Sequence, residues 1–141
     1  MKILLPVDGS ENSLRAVRHV IAMTEQYREP LEVHLLNVQL PVASGVVKMF
    51  ISQQQLNDFL HDEGVAALKD ARALLDQAGV SYQHHIGVGD LAGTIVSYAR
   101  EKQCRLIVIG TRGRGSLAGA LLGSVTTKVI HLAEVPVLLV K

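Results

Sequence analysis

The chain has 141 residues, with 14 Lys+Arg against 13 Asp+Glu, and its net charge is +1. That length suits one domain with its own hydrophobic core, and the charge balance leaves no basic face that would mark nucleic acid as the main partner. The single cysteine excludes an internal disulfide framework and a cysteine-based zinc site, and 48% hydrophobic against 19% charged residues excludes a disordered chain. No apolar run reaches the roughly 18 residues that a membrane span needs. The opening Met1–Asp8 does not read as a signal peptide, because Asp8 interrupts its short apolar run. The expectation is a cytoplasmic protein with one domain over residues 1–141.

Ile3-Leu4-Leu5-Pro6-Val7 is a continuous apolar run, as in a strand buried on both faces. Residues 10–28 switch to helical spacing, with Leu14, Val17 and Ile21 on one face and Ser10 placed as N-cap. Pro30 closes the turn, and Leu31–Val38 reads as a second strand. Residues 39–52 break the pattern at Pro41, Ser44 and Gly45, which predicts a long loop or a loop with a short helical turn. Helical periodicity returns from Gln53 to Ala78, and Gly79 is a natural stop. A third strand over Val80–Ile86 leads through Gly87-Val88-Gly89-Asp90 into a helix over 91–102, with Asp90 as its N-cap. Leu106–Ile109 is a fourth strand, a last helix covers 123–133, and Pro136–Val140 is a fifth strand. Five strands alternating with four helices predict an α/β fold: a five-stranded, parallel, doubly wound sheet with helices on both faces.

In such sheets ligands sit beyond the carboxyl ends of the strands, where the strand order reverses. Two strand ends here carry unusual chemistry. One is Val7-Asp8-Gly9-Ser10, a carboxylate and a glycine turning into a helix. The other follows the fourth strand, where five of the 12 glycines (Gly110, Gly113, Gly115, Gly119, Gly123) crowd together and Gly123-Ser124 opens a helix. The first N–H groups of that helix lack partners and its dipole end is positive, an arrangement that suits phosphate. Arg112 and Arg114 would add charge, and the Ser124 or Thr126 hydroxyl a hydrogen bond.

Two familiar nucleotide motifs do not account for this segment. No Gly-Lys pair occurs, so there is no Walker loop. G-x-G-x-x-A occurs at Gly113–Ala118 and Gly87–Ala92, yet neither has an acidic residue ending the next strand about twenty positions on. Asp8 stands open between a ligand-binding group, a turn cap, a magnesium ligand and a general base, though no second carboxylate completes an acid–base pair. The six histidines show no metal spacing, and His84 and His85, adjacent on a strand, point to opposite faces. Cys104 reads as a small packing residue. Ser116 and Ser124 are conceivable phosphorylation sites. The apolar last strand would leave an edge that has to be covered.

Gly110-x2-Gly113-x9-Gly123-Ser124, together with Val7-Asp8-Gly9-Ser10 and the closing Val135–Val140, resembles the ATP-binding branch of the universal stress protein family. The resemblance extends over the whole chain. It implies a Rossmann-like fold of the adenine nucleotide alpha-hydrolase type, with the first and fourth strands side by side. It further implies that Pro6, Val7 and Asp8 line an adenosine pocket and that Val38 packs on the base. Gly110 and Gly113 would approach ribose and phosphates by backbone, and Gly123, Ser124 and Val125 would cradle the phosphate chain. ATP, with magnesium, is the implied ligand, and AMP or ADP are further candidates. A homodimer through Val135, Val137, Leu138 and Leu139 is the implied assembly. Asn37 departs from the family pattern, in which a histidine often precedes the valine. The expected role is a nucleotide-responsive stress regulator or adaptor with slow ATP hydrolysis at most. An ATP-using enzyme on the same fold and a nucleotide-free interaction module remain as alternatives.

Overall fold

The computed structural model describes residues 1–114, 119 and 121–141, so Gly115 and Ser116 lie outside the described residues. Ten elements follow one another: β1 (Lys2–Pro6), α1 (Glu11–Gln26), β2 (Glu32–Gln39), α2 (Gly45–Phe50), α3 (Gln53–Gln77), β3 (Tyr82–Val88), α4 (Leu91–Glu101), β4 (Leu106–Gly110), α5 (Ser124–Leu132) and β5 (Val137–Val140). The helices start where side-chain caps allow. Ser10 accepts from the Ser13 N–H, and Asp90 accepts from the Gly93 N–H at 2.9 Å. Ser52 and Gln55 form a reciprocal capping box at the start of α3.

All five strands run parallel in the order β3-β2-β1-β4-β5. The order therefore reverses between β1 and β4. Because side chains alternate across a strand, each inner strand feeds two cores. Ile3, Leu5, Val33, Leu35 and Val108 pack with Leu14, Val17 and Val20 of α1 and Leu68 and Leu75 of α3. Leu4, Leu36, Ile107 and Ile109 face the other way, onto Ala92, Ile95 and Ala99 of α4 and Val129 of α5. Cys104 is buried in that second core, and its burial pushes the thiol up to about 11, which keeps it neutral and unreactive.

The doubly wound sheet is as expected, with two differences. The helices number five among the described residues, not four, because Gly45–Phe50 closes one helical turn and more inside the 39–52 segment. Ser44 caps it, but none of its residues is buried, and Met49 and Phe50 are 79% and 81% exposed. A helix without a buried face leaves no apolar stripe to read. The third strand starts at Tyr82, two residues later than its apolar run suggests. Gly79 adopts φ +68°, and the Val80 N–H donates back to the Leu75 carbonyl at 3.0 Å, so Val80 belongs to the helix terminus.

Core burial predicts a contrast within α3. Leu68 is completely buried whereas Phe59 is 54% exposed. Leu68→Ala should cost about 2–5 kcal/mol in urea unfolding, and Phe59→Ala should stay within roughly 0.5 kcal/mol of wild type. Equal losses would show that α3 packs by another face.

Candidate functional site

A cavity of about 220 Å³ opens at the carboxyl ends of β1 and β4, where the strand order reverses. The structure brings all ten residues singled out for ligand contact to its wall: Pro6, Val7, Asp8, Val38, Gly110, Arg112, Gly113, Gly123, Ser124 and Val125. Val38, Leu91, Ile95, Ile109 and Val125 contribute apolar side chains to the wall, and Asp8, Arg112 and Ser124 contribute polar ones. β1 stops at Pro6 but β2 runs on to Gln39, so the edge of β2 at Val38 borders the cavity instead of a strand.

Asp8 joins the two strand ends. Its Oδ1 accepts from the Ser10 N–H at 2.9 Å, which closes the turn into α1. Its Oδ2 accepts from the Arg114 N–H at 2.8 Å, across 106 residues of chain. Burial pushes the Asp8 carboxyl up, but hydrogen bonds from Ser10, the Arg114 N–H and Ser13 outweigh it and hold the group below its ordinary value of 3.8. Asp8 is therefore both a turn cap and a tether for the segment after β4.

The glycines have specific neighbours. Gly9 sits at φ +83°, and a Cβ there would meet Arg114 Nη2 at 2.9 Å. A Cβ on Gly113 would collide with Asp8 Oδ2. At Gly110 the obstacle is the Asn12 carbonyl oxygen, 2.8 Å from an added Cβ. Glycine at 110 thus has a packing cause, the close passage of α1 over β4, in addition to its place on the cavity wall. The Gly110 carbonyl accepts from Thr126 Oγ1 at 2.9 Å. The Thr126 hydroxyl, named above as a donor to phosphate, is thereby engaged in fixing α5 to β4.

The segment between β4 and α5 is closed at its base, where the Gly123 N–H donates to the Thr111 carbonyl at 2.7 Å. Gly123 is the N-cap residue of α5 and offers no side-chain cap. Ser124 and Val125, in the first turn, border the cavity.

Several wall residues carry no motif. Ser13 is buried, and its hydroxyl donates to the Ser10 carbonyl at 2.8 Å. Asn37 is buried as well; its Nδ2 donates to the Val7 carbonyl at 2.8 Å and its Oδ1 accepts from Gln39 Nε2 at 2.7 Å. Asn37 was noted only as a departure from a pattern, yet it fixes the end of β1. No set of three or more histidine, cysteine or acidic side chains suited to a metal occurs among the described residues. No helix among them is long and apolar enough to cross a membrane.

Comparison with known proteins gives a consistent picture. Residues 1–141 match the model of the "Universal stress protein family". Universal stress protein MJ0531 of Methanocaldococcus jannaschii is 36% identical over 145 residues, covering 99% of this chain and 81% of the relative. The solved structure of hypothetical protein MJ0577 superposes with a TM-score of 0.84 at 33% identity, covering 99% of this chain and 94% of the other. A universal stress protein crystallised in complex with cAMP superposes with a TM-score of 0.66 at 26% identity, covering 99% and 95%.

The Asp8 tether makes a signed prediction. In Asp8→Asn the amide oxygen can still accept from Ser10, but its NH₂ then faces the Arg114 N–H, donor against donor. The variant should lose about 1.5–3 kcal/mol at pH 7. Because the folded carboxyl titrates below its unfolded value, its contribution is complete above pH ~4 and is lost as pH falls through the lowered folded value. Urea melts of wild type and variant should therefore converge in acid. A gap that persists unchanged at pH 2.5 would show that the charge plays no part.

Proposed function

The chain belongs to the universal stress protein family, and we propose that its cavity between β1 and β4 binds an adenine nucleotide. ATP with magnesium is the leading ligand, with ADP and AMP as competitors. One observation carries this reading: the cavity wall combines apolar side chains with Asp8, Arg112 and a helix N-terminus that has no side-chain cap. A flat apolar base suits the wall of Val38, Leu91, Ile95 and Ile109, and the free edge of β2 offers peptide groups to the rim of such a base. Asp8 retains acceptor capacity beyond its two N–H partners, so it can take a ribose hydroxyl while still holding the Arg114 N–H. The Gly123 N–H is engaged with Thr111, which leaves Ser124 and Val125 as the backbone donors to phosphate, with Arg112 adding charge. The relative crystallised with cAMP supports an adenine nucleotide as the ligand class.

The role that fits is regulatory, in the cytoplasm. Among the described residues the wall has a single carboxylate, Asp8, with no second one beside it to complete an acid–base pair. Occupancy would instead bear on the segment Asp8 tethers and so on the surface shown to a partner. Freshly purified protein should carry adenine nucleotide by native mass spectrometry, or gain several degrees in melting temperature with Mg-ATP. Gly113→Val should lose at least tenfold in ATP affinity by calorimetry, since its Cβ displaces Asp8, while Cys104→Ser should retain it. Protein without bound nucleotide that also fails to respond to Mg-ATP, ADP or AMP would overturn the assignment.

The proposed assembly is a homodimer through β5. Among the described residues β5 pairs with β4 on one side and with no strand on the other. Val135, Val137, Leu138 and Leu139 are each only half-buried despite being apolar. Antiparallel pairing with a second copy would cover that edge. Leu138→Glu should elute as a monomer in size-exclusion chromatography while keeping its circular dichroism. A wild type that itself elutes as a monomer, or a folded variant with an unaltered volume, would count against strand pairing.

A further inference from the structure

Away from the cavity, two histidines meet on the α4 side of the sheet. His34 of β2 is 2% exposed, and its Nδ1 lies 3.0 Å from Nε2 of His85 on β3. The ring planes differ by 16° and the centroids are 5.3 Å apart, so the imidazoles lie edge to edge along the N···N line. On its other side His34 Nε2 is 2.9 Å from Glu32 Oε1. Tyr98 of α4 covers His85, with ring centroids 5.7 Å apart.

The proton count follows from donors and acceptors. A carboxylate only accepts, so His34 Nε2 carries a proton. In the neutral pair His34 Nδ1 is then bare and accepts from His85 Nε2–H, which leaves His85 Nδ1 without a proton. One added proton preserves every bond, whichever ring holds the charge, because a single hydrogen still lies between the facing nitrogens. A second added proton puts a hydrogen on both facing nitrogens 3.0 Å apart and places two cations in contact. The pair does not survive that state.

We propose that His34 and His85 form a one-proton clamp between β2, β3 and α4, which opens on double protonation and loosens the α4 wall of the cavity. α4 supplies the mechanical link: it carries Tyr98 over the clamp and Leu91 and Ile95 on the cavity. The surroundings oppose a second charge. Lys102, the C-cap residue of α4, and His84 of β3 act on His85, and in the register of β1 Lys2 stands beside Glu32, the acidic partner of His34. Leu4, the β1 neighbour of His34, is apolar, and the nearby Cys104 thiol stays neutral. Burial first, then the charges of His34, Lys102 and His84, hold His85 below its ordinary value of 6.5. Its stabilising contribution is thus complete above pH ~6.5 and fades as pH falls below that toward the lowered folded value.

The test uses the full chain and needs no nucleotide, so it stands apart from the ligand reading. Imidazole nitrogen NMR from pH 8 to pH 5 should show the hydrogen bond between the two rings lost as His85 titrates, and the methyl signals of Leu91 and Ile95 should shift over the same range. Between pH 7.5 and 5.5 wild type should lose roughly 3 °C or more of melting temperature beyond the loss in His85→Gln. A ring-to-ring hydrogen bond that persists at pH 5, or Leu91 and Ile95 methyls that stay still while it is lost, would overturn the clamp. A His85→Gln melt with the same pH dependence as wild type would do so too. The wild-type spectra decide the matter even where the variant fails to fold.

Discussion

One carboxylate stands at the junction on which the candidate site depends. Asp8 leaves β1 at the point where the sheet reverses its order, and its two oxygens hold two different segments, the turn into α1 and the backbone after β4. Neither segment has regular secondary structure to hold it there. Partial burial alone would drive the carboxyl toward its neutral form, and N–H and O–H donors reverse that preference. The spacing of the glycines is then a steric consequence. Gly113 lacks a Cβ because Asp8 Oδ2 occupies the space, and Gly110 lacks one because the backbone of α1 passes there. Residues that look like a flexible loop in one dimension are close-approach positions in three.

The polar groups inside the molecule follow the same logic. Ser13, His34, Asn37, Thr111 and Thr126 are buried, and no buried side-chain nitrogen or oxygen among the described residues lacks a hydrogen-bond partner. Four of the five gather at the carboxyl ends of the strands, where Asn37 bonds the end of β1, Thr126 ties α5 to β4 and Ser13 bonds the turn into α1. His34 is the exception. It sits within the strand, and its partners, Glu32 and His85, lie along and across the sheet. The sheet thereby carries two chemically distinct clusters on one framework, with α4 touching both.

What could be read from one dimension is what repeats locally. Strands buried on both faces show as unbroken apolar runs, and long helices show their stripe, so the parallel sheet was legible before any coordinates. The same holds for the strand ends, since Val7-Asp8-Gly9-Ser10 and the glycine spacing are short-range signals. α2 was legible only as one of two readings, a loop with or without a short helical turn, because nothing in it is buried. The His34–His85 pair was not legible, since it depends on the long-range register that sets His34 opposite Gln83 and His85 opposite Leu36. Asn37 was misplaced in importance for a similar reason, as its partner, Val7, lies 30 residues away. Contacts across strands leave no local periodicity.

The hydrogen bond from the Gly123 N–H to the Thr111 carbonyl has an evolutionary corollary. It closes the connection between β4 and α5 at its base, so the ends of that connection are fixed whatever lies between. Doubling the length of a loop adds only about 0.6 kcal/mol to the cost of joining its ends. The end of β4 and the start of α5 can therefore keep one mutual geometry while sequences of different length join them.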